Sequence, residues 1–219
     1  MMTCQYCKGK CDKAGRQKNG TQRLYCAICK KHQQASYQKQ AYMEGINRQI
    51  CKLLREGVGI RGIGRILKIA VGTIFRRIKA IGREIYKPEL SEHGRSYEVG
   101  ELWTYIGKKS NEYWVAYVLE RRTRQVIDFI VGKRTKSTLK ILIKDLLTRK
   151  PAVIRTDKLT HYNRIIPQNI HRAGAYCINR IERKNLTSRT HLKRLSRRTI
   201  GFSRDIGMLE SCLRIYFWG

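Results

Sequence analysis

Asn179-Arg180-Ile181-Glu182-Arg183-Lys184-Asn185 sets one acid at the centre of the most basic neighbourhood of the chain, which continues through Arg189, Lys193, Arg194, Arg197 and Arg198. A cationic helix that only holds phosphate gains nothing from that carboxylate, whereas one that also holds a divalent metal needs it. Upstream, the apolar stretch Ala152-Val153-Ile154 closes on Thr156-Asp157, which predicts a strand ending in a second carboxylate, with 24 residues between Asp157 and Glu182. Acids on a strand end and a helix, framed by Arg180, Arg183 and Lys184 as phosphate contacts, point to metal-assisted chemistry on a nucleic-acid backbone. The plainer alternative is a salt bridge from Glu182 to Arg183 or Arg189 on a solvated helix face.

The segments around this pair predict an α/β domain over 97–219. Three β-rich runs, 97–106, 113–119 and 125–131, are separated by the charged turns Lys108-Lys109-Ser110-Asn111 and Arg121-Arg122-Thr123-Arg124. A helix with Leu139, Leu142, Ile143, Leu146 and Leu147 as its apolar stripe comes next, then the strand 152–156. A last strand is expected near Ala175-Tyr176-Cys177-Ile178, before the helix of Glu182. Met208, Leu209, Cys212, Leu213 and Tyr216 mark a final helix. This order is that of a ribonuclease-H-like fold. Trp103 and Trp114 are expected in its core, and Cys51, Cys177 and Cys212 are expected as small buried side chains.

The N-terminal part reads differently. Cys4-Gln5-Tyr6-Cys7 and Cys26-Ala27-Ile28-Cys29 are two close pairs with 18 residues between them, the spacing of a four-thiolate zinc site. A zinc ribbon is therefore expected over 1–40, with Cys11 the weaker competing ligand. Over 44–86 the apolar period becomes helical. Ile46, Ile50, Leu53 and Leu54 form one stripe, broken by Gly57-Val58-Gly59, and Ile60, Ile63, Ile66 and Leu67 form a second. After the turn Ile69-Ala70-Val71-Gly72, Thr73 is expected to cap a third helix carrying Ile74, Ile78 and Ile81 and presenting Arg76, Arg77 and Lys79. Three short helices with a basic last one match a helix-turn-helix DNA reader, and a plain three-helix bundle is the alternative. Residues 87–96 read as a linker.

Composition narrows the partners. Lys and Arg number 47 against 16 Asp and Glu, a formal charge of +31 spread along all 219 residues. Self-repulsion of that size calls for a polyanion, and nucleic acid is the expected one. A membrane is not, because the basic residues are not gathered on one amphipathic anchor and no apolar run approaches the roughly 20 residues of a span. Met1-Met2-Thr3-Cys4 lacks a signal-peptide core. The expected location is the bacterial cytoplasm, with the nucleoid, where the eight cysteines stay reduced or metal-bound.

Taken together, the Cys pairs, Gly59-Ile60-Arg61-Gly62-Ile63-Gly64-Arg65-Ile66-Leu67, Tyr97-Glu98-Val99-Gly100-Glu101-Leu102-Trp103, Thr156-Asp157, the helix around Glu182 and Arg189-Thr190-His191-Leu192 resemble the transposases of the insertion-sequence-1 family, within the Asp-Asp-Glu superfamily. The resemblance implies binding of double-stranded DNA, both inverted-repeat ends and target, and strand cleavage and transfer with Mg²⁺ or Mn²⁺ on catalytic acids that include Asp157 and Glu182. It also implies a homo-oligomer, since pairing two ends takes at least a dimer. The family pattern has Asp where this chain has Gly100, and generally Gly where it has Lys158. By strand geometry Glu98 lies about 7 Å from position 100 on the same face, and Glu101 points to the opposite face. Neither takes the place of the missing acid, so impaired catalysis is expected. Two alternatives are a non-catalytic DNA-binding protein, repressor or competitor, at the element ends, and a zinc-ribbon RNA-binding protein, which has no need of paired carboxylates.

Overall fold

A computed structural model describes residues 2–35, 40–89, 93–174, 176–199 and 201–219, which fall into two compact units, Met1–Ile46 and Asn47–Gly219.

In the first unit the strands β1 (Asp12–Arg16), β2 (Gln22–Cys26) and β3 (Lys31–Gln34) form an antiparallel sheet in that order. Its interior is small: Cys4, Cys11, Leu24 and Cys26 are the buried apolar residues, with Cys29 packed against them. A cluster of this size cannot offset the entropy of ordering the segment, and a cross-link or a metal is needed.

The second unit opens with helices α1 (Ile46–Arg55), α2 (Ile60–Ile66) and α3 (Val71–Glu84). Ile50, Leu54, Ile63, Ile74 and Ile78 are buried, as the helical period requires. Two expectations need correction. Ile66 points outward at 58% exposure; in the seven-residue α2 the buried contact is made by Gly64, whose missing Cβ lets the Ile69 carbonyl approach. Thr73 lies inside α3 rather than capping it, because its amide is already bonded to the Ala70 carbonyl at 2.9 Å, and Ala70 holds the cap position.

The rest is a mixed sheet covered on both faces. Strands β4 (Ser96–Tyr105), β5 (Glu112–Glu120) and β6 (Val126–Gly132) form an antiparallel meander, and β7 (Val153–Thr156) and β8 (His171–Ala173) add in parallel, giving the order β6-β5-β4-β7-β8. Tyr97, Val99, Ala116, Val118 and Ile127 face helix α4 (Lys136–Thr148) through Leu139, Leu142, Ile143 and Leu146, with Tyr162 of the short α5 (Thr160–Asn163) closing the cluster. The other face meets α6 (Asn179–His191) and α7 (Ile206–Trp218). There the Tyr117 hydroxyl donates to Asn185 Oδ1 at 2.8 Å, and the Tyr117 and Phe129 rings meet Phe217.

The last strand is not where the sequence suggests. β8 is His171–Ala173, and residues 176–178 form a turn with Tyr176 exposed; Ala175 lies outside the described residues. The four-residue β7 offers β8 only three partners, Ile154, Arg155 and Thr156, so pairing ends at Ala173 and the chain turns away.

Helix α3 is docked on α7. A Cβ on Gly82 would stand 2.6 Å from Ser211 Cα, Arg214 donates to the Ile85 carbonyl at 3.0 Å, and Lys79 pairs with Asp205, which caps α7 through the Met208 amide at 3.1 Å. That pairing, first of all, holds the Asp205 carboxyl below the usual carboxylate range. In the segment after α3, Lys87 reaches Asp128 (3.0 Å) and Asp145 (2.9 Å).

Candidate active site

The decisive geometry is the mismatch between a ten-residue β4 and a four-residue β7. The parallel ladder runs Ser96↔Val153, Tyr97↔Ile154, Glu98↔Arg155 and stops. From Val99 onward the β7 side of β4 is an open edge. Carried two residues further, the register brings Gly100 level with Asp157, just past the end of β7. The edge is covered by side chains instead: Asn185 donates to the Glu101 carbonyl at 3.3 Å and Arg189 reaches the Trp103 carbonyl at 3.5 Å. Helix α6 thus runs along β4 and carries Glu182 beside the same edge.

Three acids around this edge have different fates. Glu98 is 1% exposed and fully engaged. Its carboxylate accepts the backbone amides of Arg180 (3.1 Å) and Ile181 (3.2 Å), the Arg180 guanidinium (3.1 Å) and the Arg121 guanidinium (2.9 Å). The two amides belong to the first turn of α6, which has no side-chain cap from its own N-cap residue, Ile178. Glu98 supplies that cap from the sheet, satisfying donors the helix cannot satisfy itself and complementing its positive end. Glu101, on the opposite face, accepts from Tyr162 Oη at 2.9 Å and pairs with Arg134. Burial, and then the Glu101 charge, push the Tyr162 phenol up. Asp157 takes the Leu159 amide at 3.1 Å and lies 3.9 Å from the same Arg134 guanidinium. Arg134 therefore links Glu101 and Asp157.

Glu182 is exposed, and among the described residues its side chain makes no ion pair or hydrogen bond. The salt bridge to Arg183 or Arg189 does not form; Arg189 is spent on the Leu195 and Trp103 carbonyls. Glu182 opens into a hollow of about 490 Å³ shared with Asn185, Leu186, Arg189, Ser196 and Arg197.

Gly100 faces Tyr117 on β5 and packs under α6, where a Cβ would meet Ile181 Cγ2 at 2.4 Å. The Ile181 side chain is fully buried and β-branched, so it has little freedom to yield.

The basic residues expected to hold phosphate divide in the same way. Arg183 is exposed, while Arg180 is committed to Glu98. Lys184 lies over the Tyr216 ring at 5.3 Å, and burial lowers its pKa. On α3, Arg76 is exposed with Thr73 Oγ1 at 3.3 Å, Arg77 reaches Asn47 Oδ1 at 2.6 Å, and Lys79 is tied to Asp205. His191 stands 3.0 Å from the Tyr216 hydroxyl.

In the N-terminal unit, the sulfurs of Cys4, Cys7, Cys26 and Cys29 all lie within 4.8 Å of one another, with Cys4–Cys29 and Cys7–Cys26 at 3.5 Å. Four thiolates around a tetrahedral zinc at about 2.3 Å stand roughly 3.8 Å apart, so this set fits zinc. Burial opposes the Cys4 thiolate, but the backbone amides of Cys7 and Tyr6 and the neighbouring thiols bring it down to about 6. Cys11 is not in the group; burial first, and then Cys4 and Cys26, push it up to about 11. Among the described residues this is the one group of three or more Cys, His, Asp or Glu close enough to share a metal.

The class is that of an α/β domain in which a parallel strand followed by an acid lies beside a long central strand and a helix that carries a second acid, and comparison with known proteins is specific. Residues 96–217 match the model of the IS1 transposase family, and the chain belongs to that family. The iso-IS1n insertion-element protein InsB of Shigella dysenteriae is 34% identical over 116 residues, covering 53% of this chain and 88% of that one. The IS1 protein InsB of Shigella flexneri is 33% identical over 119 residues, 54% of this chain and 91% of that one. A solved structure, the simian T-cell lymphotropic virus intasome in complex with PP2A regulatory subunit B56 gamma, overlaps 80% of this chain and 65% of that one at 10% identity and a TM-score of 0.37, a likeness too slight to bear on function. No helix among the described residues is long and apolar enough to cross a membrane.

Proposed function

We propose that this protein is the DNA transposase of an insertion sequence, that it recognises the element's ends, and that its strand-transfer chemistry is impaired. The observation that carries the reading is Glu182: exposed, unpaired, ringed by arginines, on a helix whose start is fixed to β4 by Glu98. An acid left free in a chain of net charge +31 is spare for a ligand.

Asp157 and Glu182 are the proposed ligands of Mg²⁺ or Mn²⁺, which would supply charge neutralisation and an activated oxygen in phosphoryl transfer. The donor set falls short of three carboxylates. Glu98 is consumed in capping α6, Glu101 is held by Tyr162 and Arg134, and position 100 carries no side chain. This supports impairment. It also favours a second reading, a non-catalytic competitor at the element ends, in which DNA binding outlives chemistry.

Binding is assigned to the helix-turn-helix over 44–86, with Arg76 and Arg77 toward DNA, and to Arg183 beside the site. Residues 97–219 form the ribonuclease-H-like domain, residues 1–40 a zinc ribbon on Cys4, Cys7, Cys26 and Cys29, and the working form is a homo-oligomer in the bacterial cytoplasm. The full chain is expected to retard duplexes carrying its own inverted ends in preference to scrambled duplexes, with Arg76→Ala weakening the preference. Equal retardation of both duplexes rejects end recognition.

A further inference from the structure

A surface beside the acids is built for something the cutting reaction does not itself require. Trp103 and Trp114, opposite each other on β4 and β5, are only partly buried rather than core, contrary to the sequence expectation. They lie at the hairpin end of both strands, outside the cluster that packs on the Leu139–Leu146 stripe of α4. With Lys109 and Arg197 they line an open hollow of about 360 Å³. Arg197 also lines the hollow that holds Glu182, so the two are neighbours. From the other side, the Arg134 guanidinium stacks on the Trp114 ring at 4.4 Å while pairing with Glu101 and approaching Asp157. A cation therefore stands between the indole pair and each proposed metal acid: Arg134 lies 3.9 Å from Asp157, and Arg197 lines both the indole hollow and that of Glu182.

Indole faces beside Lys and Arg attract a π-surface that carries negative charge. A second copy of this chain is a poor occupant, since it brings the same +31 charge to a cationic rim. An intact duplex is poor too, because its base faces are covered by neighbouring pairs and only edges and backbone are offered. We propose that the Trp103–Trp114 surface holds an unpaired nucleobase of a DNA strand, with Lys109 and Arg197 on the flanking phosphates, and so presents a frayed or single-stranded end to the Asp157–Glu182 edge. This deepens the transposase reading by naming the form of its substrate.

The test is a titration of the full-length protein, without added divalent metal, by oligothymidylate, by a blunt duplex of equal length and by oligouridylate. Binding is followed by the fluorescence of the three tryptophans; the third, Trp218, is anchored on the Val126 carbonyl. Oligothymidylate is expected to quench, and Trp103→Leu or Trp114→Leu to remove most of the quench and weaken binding about tenfold. Trp→Phe at either position is expected to keep the affinity, since a π-face remains. Lys109→Ala with Arg197→Ala is expected to flatten the slope of log K against log salt by about 1.4, two phosphates on a single strand; this arm needs no tryptophan substitution and decides the matter if a Leu variant fails to fold. Leu variants that bind as wild type, a blunt duplex that quenches equally, or tighter binding of oligouridylate would each overturn the proposal. The titration uses neither metal nor end sequence, so it can succeed where end recognition or strand transfer fails, and the reverse.

Discussion

Replacing Glu98 separates an acid that holds the fold from Glu182, the acid proposed to hold metal. Glu98→Ala removes a buried carboxylate and strands two amides of α6 and two guanidinium groups. Removing one partner of a buried charge pair costs about 3–5 kcal/mol. Arg121 and Arg180 keep 28% and 37% of their side chains in solvent, which re-solvates part of the loss, so the lower end, about 3 kcal/mol, applies. In a unit of this size each kcal/mol moves Tm by about 2–4 °C, giving a fall of about 6–12 °C. Glu98→Gln keeps an acceptor for the amides but turns an NH₂ group toward the guanidiniums, and should recover less than half. Glu182→Gln, at an exposed and unpaired position, should stay within about 0.5 kcal/mol of wild type. The assay is thermal unfolding by circular dichroism on the full chain. A Glu98→Ala shift under about 3 °C, or a Glu182→Gln shift as large as that of Glu98→Ala, would refute the division of roles.

Other outcomes follow from the same structure. Metal analysis of the full chain should find one zinc, lost with Cys4→Ser; a protein that keeps a full equivalent of zinc without Cys4 contradicts the four-thiolate site. Gly82→Val should cost about 1–3 kcal/mol by overpacking α3 against the Ser211 backbone, visible as a lower urea midpoint, and an unchanged midpoint would deny that close approach. Asp205 has a folded pKa below its ordinary 3.8, so its contribution is present above that value and lost as pH falls through the folded pKa. Lys79→Ala should therefore reduce stability at neutral pH by less than about 1 kcal/mol and flatten the acid limb below 3.8; an unaltered acid limb would remove Lys79 as the cause.

The strands of the meander, α4 and α7 were legible because their apolar residues are the buried ones, a continuous run from Val115 to Leu119 in a strand covered on both faces and a spacing of three to four from Leu139 to Leu146. β8 was misplaced because Tyr176-Cys177-Ile178 is apolar enough for a strand, yet the length of β7, set elsewhere in the chain, decides where pairing stops. The clustering of the four cysteines was legible from spacing alone, since each close pair sits in one local turn. Glu182 and Asp157 could be picked out as acids in unusual company, but not their partners. The role of Glu98 depends on amides 82 and 83 residues away, and the exposure of Trp103 and Trp114 on where α4 begins. The Arg134 link between Glu101 and Asp157 left no local signal either, because the three residues lie more than twenty positions apart in the chain. The tight seat of Gly100 under Ile181 is likewise a fact of packing. An acid placed there would need room as well as charge.

The central claim is that Asp157 and Glu182 form an incomplete metal site at the β4 edge. Its most direct measurement is strand transfer by purified protein with Mg²⁺ or Mn²⁺ on its own inverted ends, comparing wild type, Gly100→Asp and Gly100→Asp/Ile181→Ala. Wild type is expected to join weakly or not at all, and the double variant to join more than Gly100→Asp alone, with that joining abolished by Glu182→Gln. Robust joining by the wild-type chain, or joining that survives Glu182→Gln, would contradict it.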